Sequence, residues 1–405
     1  MPETPINSET SRSLHKERVQ RFVEAHWSNA YHARPGLYTL ALENWLRALV
    51  DEGWAVSHLP VSFGGLGWDA EQVYCLQSLC QAEGCPGFLT IATEKVAPLL
   101  LHAGTADQRQ RHLPGIAAAP TSWMYAIYDS LGPEHAPQKP ARLDQGQGRH
   151  AHGYLTGVKM AEVDHPAFLA GHPMAPRMLL CFALDENDQQ VICLVNLANL
   201  GVQVERPSGL SRSVRITLSG ALVEANNILP LRGESLARSL QQSSETLPVA
   251  EGSGFDYRCQ RLRRFLADQH VDEGDTLVSD LDALSVEVAA LSGMEQRLLN
   301  PDLPNVIWSG LRALCQIKVE QVALELGALQ QACFGYYALL DGGFVALDNE
   351  GGIGPQDEWA FDRTQTARLA MAQLSTGHAG FALKNVLVSD SLTLPPLLAV
   401  KDQDS

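Results

Sequence analysis

Both common phosphate cradles are missing from this 405-residue chain. The cluster Gly64-Gly65-Leu66-Gly67 has no apolar strand leading into it and no Lys-Ser or Lys-Thr behind it, so it forms neither a P-loop nor a dinucleotide fingerprint. Positive charge is scarce: 30 Lys and Arg stand against 46 Asp and Glu, a formal charge of −16. Binding to a phosphate backbone rests on clustered cations, so nucleic acid is excluded as an expected partner. The one basic stretch, from Tyr257 to Phe265 with Arg258, Arg261, Arg263 and Arg264, suits either a solvated helix face or contact with phosphates or acidic side chains. Eight cysteines include no C-x-x-C pair, and no secretory leader is seen at the amino terminus. Reduced core thiols in a cytoplasmic protein are expected. Cys75, Cys80 and Cys85 repeat every five positions, and a helix turns each about 140° from the last, so they cannot share a face as metal ligands. His150, His152, His165 and His172 lack the spacing of a helical metal site. No apolar run reaches the roughly 18 residues of a membrane span.

What the chain does have is an ordinary globular balance, 45% hydrophobic and 19% charged, with length enough for two or three domains. Its periodicity changes twice. Apolar residues at three- and four-residue spacing predict an α-helical domain over residues 1–120, with Gly53 and Pro60 ending one helix, Asp69 and Thr105 capping others, and Pro114 breaking the last. Short alternating runs bounded by Gly, Pro, Asn and Asp, among them "SWMYAIY", "RMLLCFAL" and "SVRITLSGALV", predict an antiparallel β-barrel domain over 121–230. The helical period then returns, with Leu277, Leu281, Leu284, Val288, Leu291 and Leu298 on one stripe, and predicts a helical bundle over 231–405. The fold class is α+β, mostly α.

Four segments in order resemble the acyl-CoA dehydrogenase family: "LVDEGWAVSHLPVSFGGLGWDAEQV", "HAGTADQRQRHLPGIA", "LSRSVRITLSGALVEANNIL" and "PNVIWSGLRALCQIKVEQVALELGALQQ". The last is similar to the long-loop branch, whose enzymes often act on pimeloyl-type carboxylated or steroid acyl-CoAs. The resemblance implies a helical domain, a central barrel and a four-helix bundle, and makes the glycine cluster a structural turn between helices. It further implies FAD as cofactor, an acyl-CoA substrate, and a homodimer or homotetramer. In such enzymes a carboxylate removes the proton α to the thioester while the flavin accepts a hydride from the β carbon.

Carried over residue by residue, the resemblance sets Tyr125, Ile127, Tyr128 and Val163 along the flavin, with Tyr128 standing where the family has threonine, Asp129 where it has glutamate, and Ala161 where it has tryptophan. Glu134 replaces the serine that reaches the bound thioester or CoA. Arg264, followed by Phe265, sits where many relatives place a pyrophosphate-binding arginine, and Arg261 and Arg263 lie close to it. One gap aligns Phe361 with the family's tyrosine and Asp362 with its catalytic glutamate, leaving Thr364 and Gln365 in cofactor-binding places; without the gap Phe361 falls on the base position. Two readings follow. The chain is an FAD-dependent acyl-CoA dehydrogenase with Asp362 as base, or it is a catalytically degenerate partner subunit that completes the flavin site of a second dehydrogenase-like chain.

Overall fold

The computed structural model describes residues 8–28, 35–87, 89–126, 140–145, 152–162, 174–205, 213–229 and 247–335, together with Trp359, Asp362 and Thr366. The amino-terminal part is helical: α1 (Ser8–His26), α2 (Pro35–Asp51), α3 (Ala70–Ala82), a π turn (Ala92–Val96), α4 (Ala97–Ala103) and α5 (Ala106–Ala118). Local chemistry sets these ends. Asp69 accepts the Gln72 N–H at 2.8 Å while the Gln72 side chain accepts the Asp69 N–H at 3.1 Å, and Thr105 and Gln108 repeat this capping box on α5. Pro114 does not break α5, which runs on to Ala118. Pro114 faces solvent, where the carbonyl it leaves unpaired can be hydrated.

The glycine cluster is a fold-back. The N–H groups of Leu66 and Trp68 both bond the Ser57 carbonyl, Gly65 bonds Pro60, and Gly67 bonds Leu59. Gly64 and Gly67 take φ of 90° and 63°, and a Cβ on Gly65 would strike the Leu59 backbone. The turn thus needs glycine for its own close approach, with its N–H groups spent on the preceding loop.

Among the described residues, eight strands form the middle layer: β1 (Trp123–Ala126), β2 (Arg142–Gln145), β3 (His152–Glu162), β4 (Met178–Leu184), β5 (Gln190–Asn196), β6 (Val202–Glu205), β7 (Ser213–Glu224) and β8 (Ile228–Leu229). The sheet runs β6-β7-β3-β1-β4-β5-β8, with β2 also bridging β3 and β4. It is mixed rather than wholly antiparallel, because β1 and β2 each run parallel to β4. One face closes on itself around Leu155, Cys181, Val195, Ile216 and Val223, as in a barrel. The other packs Trp123, Tyr125, Leu180 and Phe182 against Ile91, Leu99, Leu113 and Ile116 of the helical layer.

Among the described residues, three long helices follow: α6 (Gly252–Asp268), α7 (Thr276–Leu298) and α8 (Asn305–Phe334). The expected stripe on α7 is the buried one, with Leu281, Leu284, Val288, Leu291 and Leu298 meeting Phe255, Leu262, Val322 and Leu326. Of the residues beyond 335 expected in the bundle, Trp359, Asp362 and Thr366 are described, the last two as helix. No helix among the described residues is long and apolar enough to cross a membrane.

Candidate functional site

α6 projects its arginines in different directions. Arg258 donates to the Gln330 side chain on α8 at 2.7 Å, and Arg263 pairs with Asp282 on α7 at 2.7 Å. Arg261 points to the carboxy-terminal segment. Its Nε and Nη2 donate to Asp362 Oδ1 and Oδ2 at 2.9 and 2.6 Å, a bidentate ion pair. The Trp359 ring covers the guanidinium at 4.8 Å, with Tyr257 6.0 Å away on another side. Phe265 meets the edge of Trp359, and Thr366 ties its hydroxyl to the Asp362 carbonyl at 2.8 Å. Only 8% of Asp362 is exposed. Burial opposes the charge on Arg261, but the hydrogen bonds and charge of Asp362 outweigh it and hold the guanidinium above its ordinary range. Neighbouring Arg258 is pushed down by burial, with the charges of Asp362, Cys259 and Glu251 pulling the other way.

The pair determines what Asp362 can do. A general base must present a carboxylate oxygen to the proton it takes. Here both carboxylate oxygens are turned onto one guanidinium under a tryptophan. The arrangement clamps the carboxy-terminal segment to α6.

Tyr125 is the second described position. It lies on β1 opposite Leu180 of β4 and Glu162 of β3. Its ring is buried edge-on to Phe182 at 6.2 Å, with the Lys95 ammonium 5.3 Å from its centroid. Arg264 is exposed on α6. Ile127, Tyr128, Glu134, Val163, Thr364 and Gln365 lie outside the described residues.

FAD, the cofactor the fold family implies, can be tested against these residues. The ring of Tyr125 belongs to the core between sheet and helices and offers no face to a flavin. Among the three arginines near a pyrophosphate position, Arg261 is held by Asp362 and Arg263 by Asp282. Only Arg264 remains for a phosphate, and one exposed arginine does not make a dinucleotide site. Of the residues the resemblance gives to FAD, only Tyr125 and Arg264 are described, and those two by themselves do not hold a dinucleotide.

One residue with unusual chemistry went unremarked in the sequence. Glu295 falls in the apolar stripe of α7, one step after Leu291 and one before Leu298, and is 1% exposed. A carboxylate at a core position of a heptad-like stripe was the available signal. Burial raises its pKa to about 7, against hydrogen bonds from the Gly252 and Glu251 backbone, with the Glu251 charge pushing further up.

Residues 9–120 match the family model described as acyl-CoA dehydrogenase, N-terminal domain. No curated protein matches the chain. Among solved structures, the ChsE4-ChsE5 complex from Mycobacterium tuberculosis superposes with a TM-score of 0.66 at 16% identity, over 98% of this chain and 99% of that one. The Tcur3481-Tcur3483 steroid ACAD gives 0.66 at 15% identity, over 97% and 100%. A glutaryl-CoA dehydrogenase from Mycobacterium smegmatis in complex with FADH2 gives 0.60 at 15%, over 96% and 95%. Residues 9–120 are therefore similar to an acyl-CoA dehydrogenase N-terminal domain, and the chain shares the fold of these solved structures over nearly its whole length.

Proposed function

We propose that this chain is the non-catalytic partner subunit of a heteromeric acyl-CoA dehydrogenase, serving a second chain of the same fold that holds the flavin. The observation that carries this reading is the Arg261–Asp362 pair: the only residue offered as a base is sealed into a bidentate contact under Trp359. The poor fit of Tyr125 and the α6 arginines to FAD supports it from the cofactor side. Two of the similar structures are named for two chains each, and one is called a steroid ACAD, which supports an acyl-CoA substrate of the steroid kind for the assembly.

The α8 surface supports association. Ile307, Gly310, Leu314, Ile317, Gln321 and Leu324 follow one another at alternating three- and four-residue steps, the seam of a helix that pairs with another helix. Leu314, Ile317 and Leu324 are exposed by 57, 38 and 52%. We place the second dehydrogenase-like chain there, in the cytoplasm.

The rival reading makes the chain an FAD enzyme in its own right, with Asp362 leaving Arg261 to act as base. Expression alone and with a neighbouring dehydrogenase-like chain separates the two. The chain alone should be colourless, the co-expressed complex should absorb near ~450 nm with the flavin, and Asp362→Asn in the complex should leave turnover within a few-fold. A yellow lone chain with one flavin per chain, whose turnover vanishes on Asp362→Asn while it stays folded, overturns the proposal.

A further inference from the structure

The polar groups buried between α3 and the bundle meet at the first turn of α6. Ser78 on α3 bonds Ser253 at 2.6 Å, and the Gly254 N–H donates to the Gln81 side chain at 3.1 Å. Gly84, just past α3, lies so close to the Tyr257 ring that a Cβ there would collide with it. The start of α6 is thus a joint between the amino-terminal domain and the bundle.

A helix begins with N–H groups that have no partner within it and with the positive end of its dipole. Here α7 supplies the missing acceptor. Glu295 Oε1 accepts the N–H of Glu251 at 2.8 Å and of Gly252 at 3.1 Å, and Oε2 lies 3.3 Å from the same Gly252 N–H. The cap approaches so closely that a Cβ on Gly252 would collide with Ser292 and press on Glu295.

We propose that Glu295 is a proton-operated cap: binding of one proton to its buried carboxyl sets how firmly α6 is held against α3.

The charges around Glu295 account for this. No cation forms an ion pair with it among the described residues, and the group it caps carries the like charge of Glu251. Glu251 faces Glu94 of the π turn, with Gln81 and Arg258 on its other sides. From α3, the Tyr74 hydroxyl is raised to about 12, first by burial and then by the charge of Glu295. From α8, burial and then Glu295 raise the Cys315 thiol to about 11, against the pull of Arg312. Arg312 itself is engaged, donating to the Leu247 carbonyl at 2.6 Å. An ionised Glu295 therefore caps α6 through two N–H donors while enduring burial and an acidic neighbour. A protonated one sheds the buried charge and keeps an oxygen to accept an N–H.

The sign follows from linkage. The folded chain holds the proton up to about pH 7, whereas a free glutamic acid releases it near 4.5. Between those values the folded state binds more protons, so this group's contribution is fully present below about 4.5 and is lost as pH rises through about 7. His58 acts in the opposite sense: burial lowers it to about 4, against its bond to Thr93, so it costs stability as pH falls from 6.5. The readout must therefore be the difference between wild type and a Glu295 variant.

Urea unfolding of the full chain and of Glu295→Gln, from pH 5 to 8, makes the test. The wild-type folding constant relative to the variant should fall on the order of a hundredfold from pH 5 to 8, with nearly all the change below about pH 7.5. Parallel curves overturn the proposal. If Glu295→Gln does not fold, amide exchange in the wild type decides: protection at Gly252, Ser253 and Gly254, corrected for intrinsic rate, should change with a midpoint near neutral pH, and pH-independent protection overturns it.

Discussion

Arg261 and Asp362 stand 101 positions apart and still make the most buried ion pair of the described bundle. As a structural clamp, the pair has a thermodynamic signature. Removing one partner strands a charge in a buried place, at about 3–5 kcal/mol, whereas replacing both by apolar side chains of similar size is near neutral. Arg261→Met should therefore destabilise the chain by that amount, and Arg261→Met with Asp362→Leu should recover most of it, measured by urea unfolding at pH 7. A double variant as unstable as the sum of the singles would deny the pair its clamping role. The sequence offered both residues, but in other roles: Arg261 near a pyrophosphate and Asp362 as a base. Spacing along a chain says nothing about a contact this distant, so their pairing became visible only in the fold. Glu295 was more legible, since a carboxylate between Leu291 and Leu298 contradicts the apolar stripe around it.

Elements whose ends depend on neighbours in sequence were the most legible. Asp69 and Thr105 cap α3 and α5 as their side chains and spacing require, and Gly53, with φ of 72°, closes the turn after α2. Pro114 misled because the cost of proline in a helix depends on where the orphaned carbonyl points, and exposure on α5 is not a sequence property. The sheet was legible as strands but not as pairing: β1 lies parallel to β4 across an intervening β2 and β3, a non-local choice. Glycine supplies the test at this scale. Gly65→Ala should cost roughly 2–4 kcal/mol, because its Cβ would run into the Leu59 backbone, which cannot swing aside as a side chain would. Gly115→Ala, in α5 with open space around it, should be neutral or stabilising by up to about 1 kcal/mol. Thermal melts of both variants check the contrast, and equal shifts would mean that the close approach at Gly65 carries no cost.

For the whole molecule, the question is what covers α8. The helix buries Cys315, Val322, Leu326 and Leu329 against α6 and α7, yet leaves Ile307, Leu314, Ile317 and Leu324 to solvent along its opposite side. From Ile307 to Leu324 a helix rises about 25 Å at 1.5 Å per residue, long enough for a continuous helical partner. Singly exposed leucines are common on protein surfaces, but four large aliphatic residues at seam spacing are not scattered. If that side is where a second dehydrogenase-like chain sits, Leu314→Lys with Ile317→Lys should dissociate the complex. Light scattering would show the mass fall to that of one chain, while circular dichroism and the melting temperature of the separated chain hold. Because Arg261 lies on α6, and Glu295 lies on α7 and caps the start of α6, both away from this seam, the clamp and the cap should be unaffected by the loss. An unchanged mass with both lysines in place would move the partner to another surface, and the proposed subunit role would then have to rest on the clamped Asp362 alone.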